Sequence, residues 1–489
     1  MNREFFVNII FLITANLLIK PLFIFGIDRN VQNLVGEQTY GVYYTLISFT
    51  FLFQIINDFG IQNFNSREIA QHRQLLDKYF PNILGLKIIL GGIYFIFVFV
   101  FAFFTYTTDR FPMLLQVAIN PFLFSLLGYL RSNVASLGMY RLNSLLTIFD
   151  RLLMIIICSV LLFIEPFRSH FQIMWFIQAQ NFSLFVTVCI AFGIVYKKVK
   201  FFKFRFNLPF YLSILRGSMP YALTFFLMGL YTRTDVVMME RMLPNGAQQA
   251  GIYASAYRLL DAVNMMGFLF ATLLFPMFAR VSKSSESVVP LMKFSYQLIM
   301  VASVSLAVAV WFHRVDIMHL LYREATPYSG DVLGVLMLSF VAMSGTYIYS
   351  TFLGANGSVS SMNKGFALAI LLNVVLNLVL IPKYQALGAA TSTLITQAFV
   401  MFMSMFLTKK ALLLRGDTVW ILKIIGFISS VILIDWALKT THFMDNWLVQ
   451  LAISIAASLL LALIFGFLNY KKIESILSGG TQRAAGDRA

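Results

Sequence analysis

Gly36-Glu37-Gln38-Thr39-Tyr40-Gly41-Val42-Tyr43 and Gly246-Ala247-Gln248-Gln249-Ala250-Gly251-Ile252-Tyr253 are two copies of one pattern. Four of the eight positions are identical, at an offset of 210 residues. Each copy stands just before the second apolar segment of a group of six, so the half-chain unit is six segments. Both copies enter from the same side, which makes the repeat parallel. Transporters built this way carry substrate where their two halves meet. Gly41 and Gly251 are expected to supply the tight turn that begins each helix.

Outward from the repeat, the chain is apolar nearly throughout. Of its 489 residues 59% are hydrophobic and 12% charged, and 51 are Phe. A soluble chain averages roughly 25% charged residues, so the bilayer must be the solvent for most of this one. Runs of about 20 apolar residues fall at 5–27, 41–64, 80–105, 111–131, 143–164, 171–196, 208–233, 251–279, 289–312, 331–354, 363–382, 386–408, 418–438 and 445–470. The expected fold is an all-α polytopic membrane protein of about 14 transmembrane helices. It comprises a six-helix lobe over 1–207, a second over 208–410, two appended helices over 411–472, and a polar tail over 473–489. The run from Phe5 is too long for a signal peptide and reads as a retained first span.

The net charge of +16 raises the question of nucleic acid, and the placement of the cations answers it. The six even-numbered loops hold 19 of the 37 Lys and Arg residues, against nine in the seven odd ones. They include Arg67, Arg131, Arg141, Arg151, Lys203 and Arg205. The bias places both termini and the even loops in the cytoplasm, facing anionic membrane lipids, and no nucleic-acid partner is implied. Cys158 and Cys189 lie in apolar runs and suggest no disulfide. The five histidines form no cluster with ligand spacing, so no metal, cofactor or enzyme active site is expected.

Three stretches carry a family resemblance. Gly36 to Glu68 contains the repeat pattern, then Asp58-Phe59-Gly60 and Ser66-Arg67-Glu68. Thr234-Asp235 leads to Gly251-Ile252-Tyr253-Ala254-Ser255-Ala256-Tyr257-Arg258. Asn373 to Ala390 holds Leu376-Asn377, Ile381-Pro382 and Leu387-Gly388-Ala389-Ala390. In that order and in those slots they resemble the polysaccharide and O-antigen (Wzx-type) flippases of the multidrug/oligosaccharidyl-lipid/polysaccharide (MOP) exporter superfamily. The resemblance implies a V of two six-helix bundles around a central cavity. It also implies movement of an undecaprenyl-diphosphate-linked oligosaccharide from the cytoplasmic to the outer leaflet of a bacterial inner membrane. A polysaccharide polymerase machinery would then be a partner.

For such a substrate the charges inside the spans matter most, because a cation at mid-bilayer costs about 2.5–3.5 kcal/mol on insertion scales. Lys87 and Arg216 stand near helix ends and are expected to snorkel. Lys20 lies deep in the first span, with Asn16 one turn before it and Pro21 after it, where a kink is expected. Arg258 lies inside the eighth, with Asp261 on the same face. One cation from each half suits a diphosphate, although Arg258 and Asp261 could equally form a structural lock. Asp58 reads as a cap or as a partner of Arg67 ahead of a substrate contact, and both stay among the candidates for the cavity. Arg233 and Asp235 could pair at the outer mouth, and Arg29 could line the exit. Two rival readings remain. One is a cation-coupled drug or metabolite exporter of the same superfamily. The other is a membrane enzyme, which the short loops disfavour.

Overall fold

The computed structural model describes residues 14, 16–281, 287–413, 418–441 and 446–467. The start of the first span, both chain termini, the tail and the Arg67 side chain lie outside the described residues. Among those described, regular structure is helical throughout.

A π-helical stretch, Phe23–Asp28, continues directly into α1 (Arg29–Leu52). Then come α2 (Gln54–Asp58), α3 (Ile61–Gln71), α4 (Leu76–Thr105), α5 (Phe111–Ser136), α6 (Tyr140–Phe163) and α7 (Ile173–Tyr196). The chain goes on through α8 (Leu208–Met242), α9 (Gly246–Val281), α10 (Val289–Leu321), α11 (Pro327–Ala355) and α12 (Val359–Ala411). It closes with α13 (Thr418–Thr440) and α14 (Trp447–Ile464). Ten of these helices are long and apolar enough to span a bilayer. The 53-residue α12 turns at Gln385, where φ is 54°, and so holds two crossings. That makes eleven crossings among the described residues, and with the remaining long helices the fold is compatible with fourteen spans.

Two boundaries differ from expectation. The loop foreseen after residue 27 is helical, and the chain turns instead at Gly36, whose φ of 81° and ψ of 163° suit only glycine. Arg29 therefore sits on a helix. Arg151, counted above among loop cations, lies in the middle of α6 with apolar turns on both sides.

The chain forms two compact units. The first holds Met1–Arg258, Leu321–Glu324 and Phe366–Ser392, and the second holds the rest. The first has a core of Ile61, Phe80, Ile83, Tyr129, Leu130 and Leu184 and their neighbours. Its lipid side shows Phe97, Phe101, Phe103 and Phe104 of α4. The second packs α13 and α14 onto α10 through Val304, Val308, Phe427, Val431 and Ala462.

Lipid tails are as apolar as these cores, so helix association in a membrane rests on close packing and interhelical hydrogen bonds. In the first unit Asn57 donates to the Pro121 carbonyl at 2.9 Å, and Asn65 donates to Ser132 Oγ at 3.0 Å. Such bonds average about 0.6 kcal/mol each. Close packing is most severe at the repeat. A Cβ on Gly41 would run into the carbonyl oxygen of Ala247 and the amide nitrogen of Gly251. A Cβ on Gly251 would run into the carbonyl of Glu37. The two glycines are thus not turn residues. Both lie inside helices, and they let the two copies of the pattern touch backbone to backbone.

Candidate substrate site

The first helix brings Lys20 and Asp28 into the first unit, and the π-helical stretch separates them. A π-turn widens a helix locally and recurs at functional positions. Here it follows Pro21, which cannot donate the backbone bond that a regular α-turn requires.

Asp28 is buried, with 2% of its surface exposed. Its Oδ2 lies 2.7 Å from Nε of Arg258. The same oxygen accepts a hydrogen bond from the Tyr40 hydroxyl at 2.8 Å. Arg258 also donates to that hydroxyl through Nε and Nη2, at 3.2 Å each. Tyr40, Tyr43 and Tyr44 form an aromatic layer around the pair. Tyr44 offers its ring face to the Arg258 guanidinium at 5.2 Å, and Tyr43 donates to Gln180 at 3.3 Å. Asp28, from the far end of the sequence, is thus a carboxylate partner of Arg258. Oδ1 of Asp28 is buried without a hydrogen-bond donor.

A second group of charges lies in the same field. Lys20 interacts electrostatically with Arg151, Asp150 and Arg131. Arg151 reaches over the Phe23 ring at 4.9 Å and meets Asp150 Oδ2 at 3.4 Å. Arg131 donates to Asn143 at 3.2 Å and to Thr147. Tyr43 connects the groups, since it feels Arg258, Asp28 and Arg151 together. Among the described residues, Lys20, Arg131 and Arg151 thus share one acid, Asp150. Like charges brought together in a low-dielectric setting repel strongly unless an anion joins them. The arrangement therefore suits a ligand that carries more than one negative charge.

The other candidates disperse. Asn16 is buried near the start of the same helix. Arg29 donates to its neighbour Asn30 at 3.5 Å. Asp58 pairs with Lys87 at 2.7 Å, and Lys87 also donates to Ser125 at 2.7 Å. Lys87 is 1% exposed, so it does not snorkel: carboxylate and hydroxyl hold its ammonium inside. Arg233 and Asp235 are two positions apart on α8, where side chains diverge. Arg233 donates to Tyr44 at 3.4 Å, while Asp235 accepts from Asn377 at 2.6 Å and from Tyr253 at 3.3 Å. Asp261 belongs to the second unit and acts electrostatically on Tyr347. Sequence reasoning missed Asp28, Tyr40 and Asp150, and it misplaced Arg131 and Arg151 in a loop. The signal for Arg151 was available, because apolar residues run on for three turns beyond it.

At one end of this unit, residues 321–324 are clasped by the chain around Gly36. Asn33 donates to the Leu321 carbonyl at 2.9 Å and accepts from the Arg323 amide at 3.0 Å. The Glu37 amide donates to Glu324 Oε2 at 2.8 Å. Burial, and then the charge of Glu324, push the Glu37 carboxyl up to about 7, against a hydrogen bond from Gln248.

Comparison with known proteins agrees with this architecture. The model of a family described as polysaccharide biosynthesis protein matches residues 5–282. An uncharacterized membrane protein of Methanocaldococcus jannaschii is 23% identical over 395 residues, which is 76% of this chain and 90% of the relative. The structure of lipid II flippase MurJ in an inward closed conformation superimposes with a TM-score of 0.71 at 15% identity, over 98% of this chain and all of that one. An inward-facing multidrug resistance MATE family transporter of the MOP superfamily gives 0.59 at 13% identity, over 81% and 94% of the two chains. The Vibrio cholerae MATE transporter VcmN gives 0.54 at 15% identity, over 83% and 94%. The fold is the one these transporters share.

Proposed function

We propose, from the premise that this chain belongs to the polysaccharide biosynthesis protein family, that it is a flippase for polyprenyl-diphosphate-linked oligosaccharide. The substrate would be a repeat unit of O-antigen, capsule or exopolysaccharide, passed from the cytoplasmic to the periplasmic leaflet of an inner membrane. One observation carries the reading: Lys20, Arg131 and Arg151 converge with a single acid, beside an Arg258 already held by Asp28.

A diphosphate supplies the anion these groups lack. Arg binds phosphate oxygens bidentately and Lys acts as a point charge. The tyrosine layer offers hydroxyls and ring faces to sugar. The polyprenyl tail stays in lipid, so only the headgroup has to be sheltered. Alternating access of two six-helix lobes, 1–207 and 208–410, then moves the headgroup across. Both termini lie in the cytoplasm on this reading, and Lys20, Arg151 and Arg258 touch the headgroup.

The test is translocation by the full chain in liposomes, with a fluorescent polyprenyl-diphosphate sugar as substrate. Lys20→Ala and Arg151→Gln should each lower the rate by about tenfold or more, since one lost charge-assisted contact is worth about 1.5–3 kcal/mol. Variants that insert normally and flip at the parental rate would sink the assignment. A parental protein that leaves this substrate in place but extrudes cationic dyes in exchange for protons would favour the exporter reading.

A further inference from the structure

The connection between α7 and α8 is built in a way that the general excess of cytoplasmic cations does not explain. Residues 201–207, Phe201-Phe202-Lys203-Phe204-Arg205-Phe206-Asn207, have no helical turn. In an extended chain alternate side chains point to opposite sides. On one side, Phe202 packs on Phe80 and Phe192, Phe204 lies against Gly85, and Phe206 meets Tyr211. On the other side, Phe201, Lys203, Arg205 and Asn207 line a cavity of about 470 Å³.

Backbone bonds fix the strap along α4. The Lys200 amide donates to Asp77 at 2.8 Å and the Arg205 amide donates to Asn82 at 3.0 Å. Lys78 of α4 adds a third cation to the cavity, standing 5.7 Å above the Phe210 ring. Asp77, the acid in the lining, is already engaged by the strap. The cavity also receives the start of the 35-residue α8, capped by Asn207. A helix N-terminus favours an anion. Apolar side chains stand beside the cavity, with Phe201 69% and Leu208 56% exposed. Three cations and a helix N-terminus, with exposed Phe201 and Leu208 beside them, match a phosphate that arrives attached to acyl chains.

We propose that this cavity holds the phosphate headgroup of an anionic phospholipid, from the leaflet that the Lys and Arg bias assigns to the cytoplasm. The phenylalanine side of the strap anchors it, and Lys78, Lys203 and Arg205 contact the phosphate. The site is separate from the Lys20 and Arg258 groups and does not depend on what the protein transports.

Native mass spectrometry of the full chain, released from nanodiscs of phosphatidylglycerol and phosphatidylethanolamine, tests this. The parent should retain phosphatidylglycerol preferentially. Lys203→Gln with Arg205→Gln should lower that retention by about tenfold or more, since one lost charge-assisted contact is worth about 1.5–3 kcal/mol. Lys197→Gln with Lys198→Gln removes the same charge from exposed positions outside the cavity and should leave retention unchanged. Equal losses in the two double variants, or no loss in the first, would overturn the proposal. Inorganic phosphate added to delipidated protein is the second probe. Binding as tight as that of the lipid would reassign the cavity to a free anion and overturn the lipid assignment.

Discussion

Nε of Arg258 lies 2.7 Å from Oδ2 of Asp28, joining the eighth span to the first. A substrate phosphate that reaches Arg258 has to compete with that carboxylate. Asp28→Asn should therefore bind a polyprenyl diphosphate about tenfold more tightly than the parent, equivalent to about 1.4 kcal/mol. Titration of the purified variant with substrate checks it. If the pair is only a structural lock, the variant will lose thermal stability and its affinity will not rise.

The Lys87–Asp58 pair makes the opposite prediction. It is enclosed by Ser125 and the Asn57 carbonyl and stands apart from the cationic group. Removing one partner of a buried pair costs about 3–5 kcal/mol, while replacing both with apolar residues is close to neutral. Lys87→Met should thus lower the melting temperature in nanodiscs sharply, and Lys87→Met with Asp58→Leu should recover most of the loss.

The clasp on residues 321–324 should depend on pH. The Glu37 carboxyl is raised to about 7 from an ordinary 4.5. A raised folded-state value means that the clasp is favoured by the protonated form. Its stability is complete below about 4.5 and is lost as pH rises through about 7. Amide exchange over residues 33–40, corrected for intrinsic rate, should show protection falling through that window. Glu37→Gln should remain protected throughout, and a parent with flat protection would refute the linkage.

Crowding at the repeat predicts a steric effect. Gly41→Ala and Gly251→Ala each place a methyl group against backbone, which cannot yield as a side chain does. Overpacking of this kind costs about 1–3 kcal/mol or more. Both variants should melt earlier than the parent, whereas Gly92→Ala, with open space around it, should not.

The apolar runs made most of the helices legible, because spanning a bilayer imposes one length and one composition. Arg151 shows where that reading slipped: a charged pair, Asp150-Arg151, looks like a loop when only neighbours in sequence are considered. The apolar run beyond it marks the helix, but its neighbours in space, Phe23, Lys20 and Arg131, are distant in sequence. The bond from Arg258 to Asp28 was hidden for the same reason, since Asp28 is reached only through packing. Lys20 and Arg258 stood out because a cation in an apolar run is conspicuous without any structure. Glycine was the least legible. The Gly41 and Gly251 repeat was visible, but a turn and a close crossing ask for the same residue.

That crossing is reciprocal. Gly41 of the first copy abuts Ala247 of the second, and Gly251 of the second abuts Glu37 of the first. Shifting by the offset of 210 exchanges one contact for the other. This is the geometry of an isologous interface, in which a single patch binds its own symmetry mate. Two separate half-chains would make it as a homodimer, with any mutation in the patch felt twice. In one polypeptide each copy can change alone. Shifted by 210, Asp28 corresponds to Met238 and Arg258 to Ser48, so their ion pair has no counterpart in the other copy.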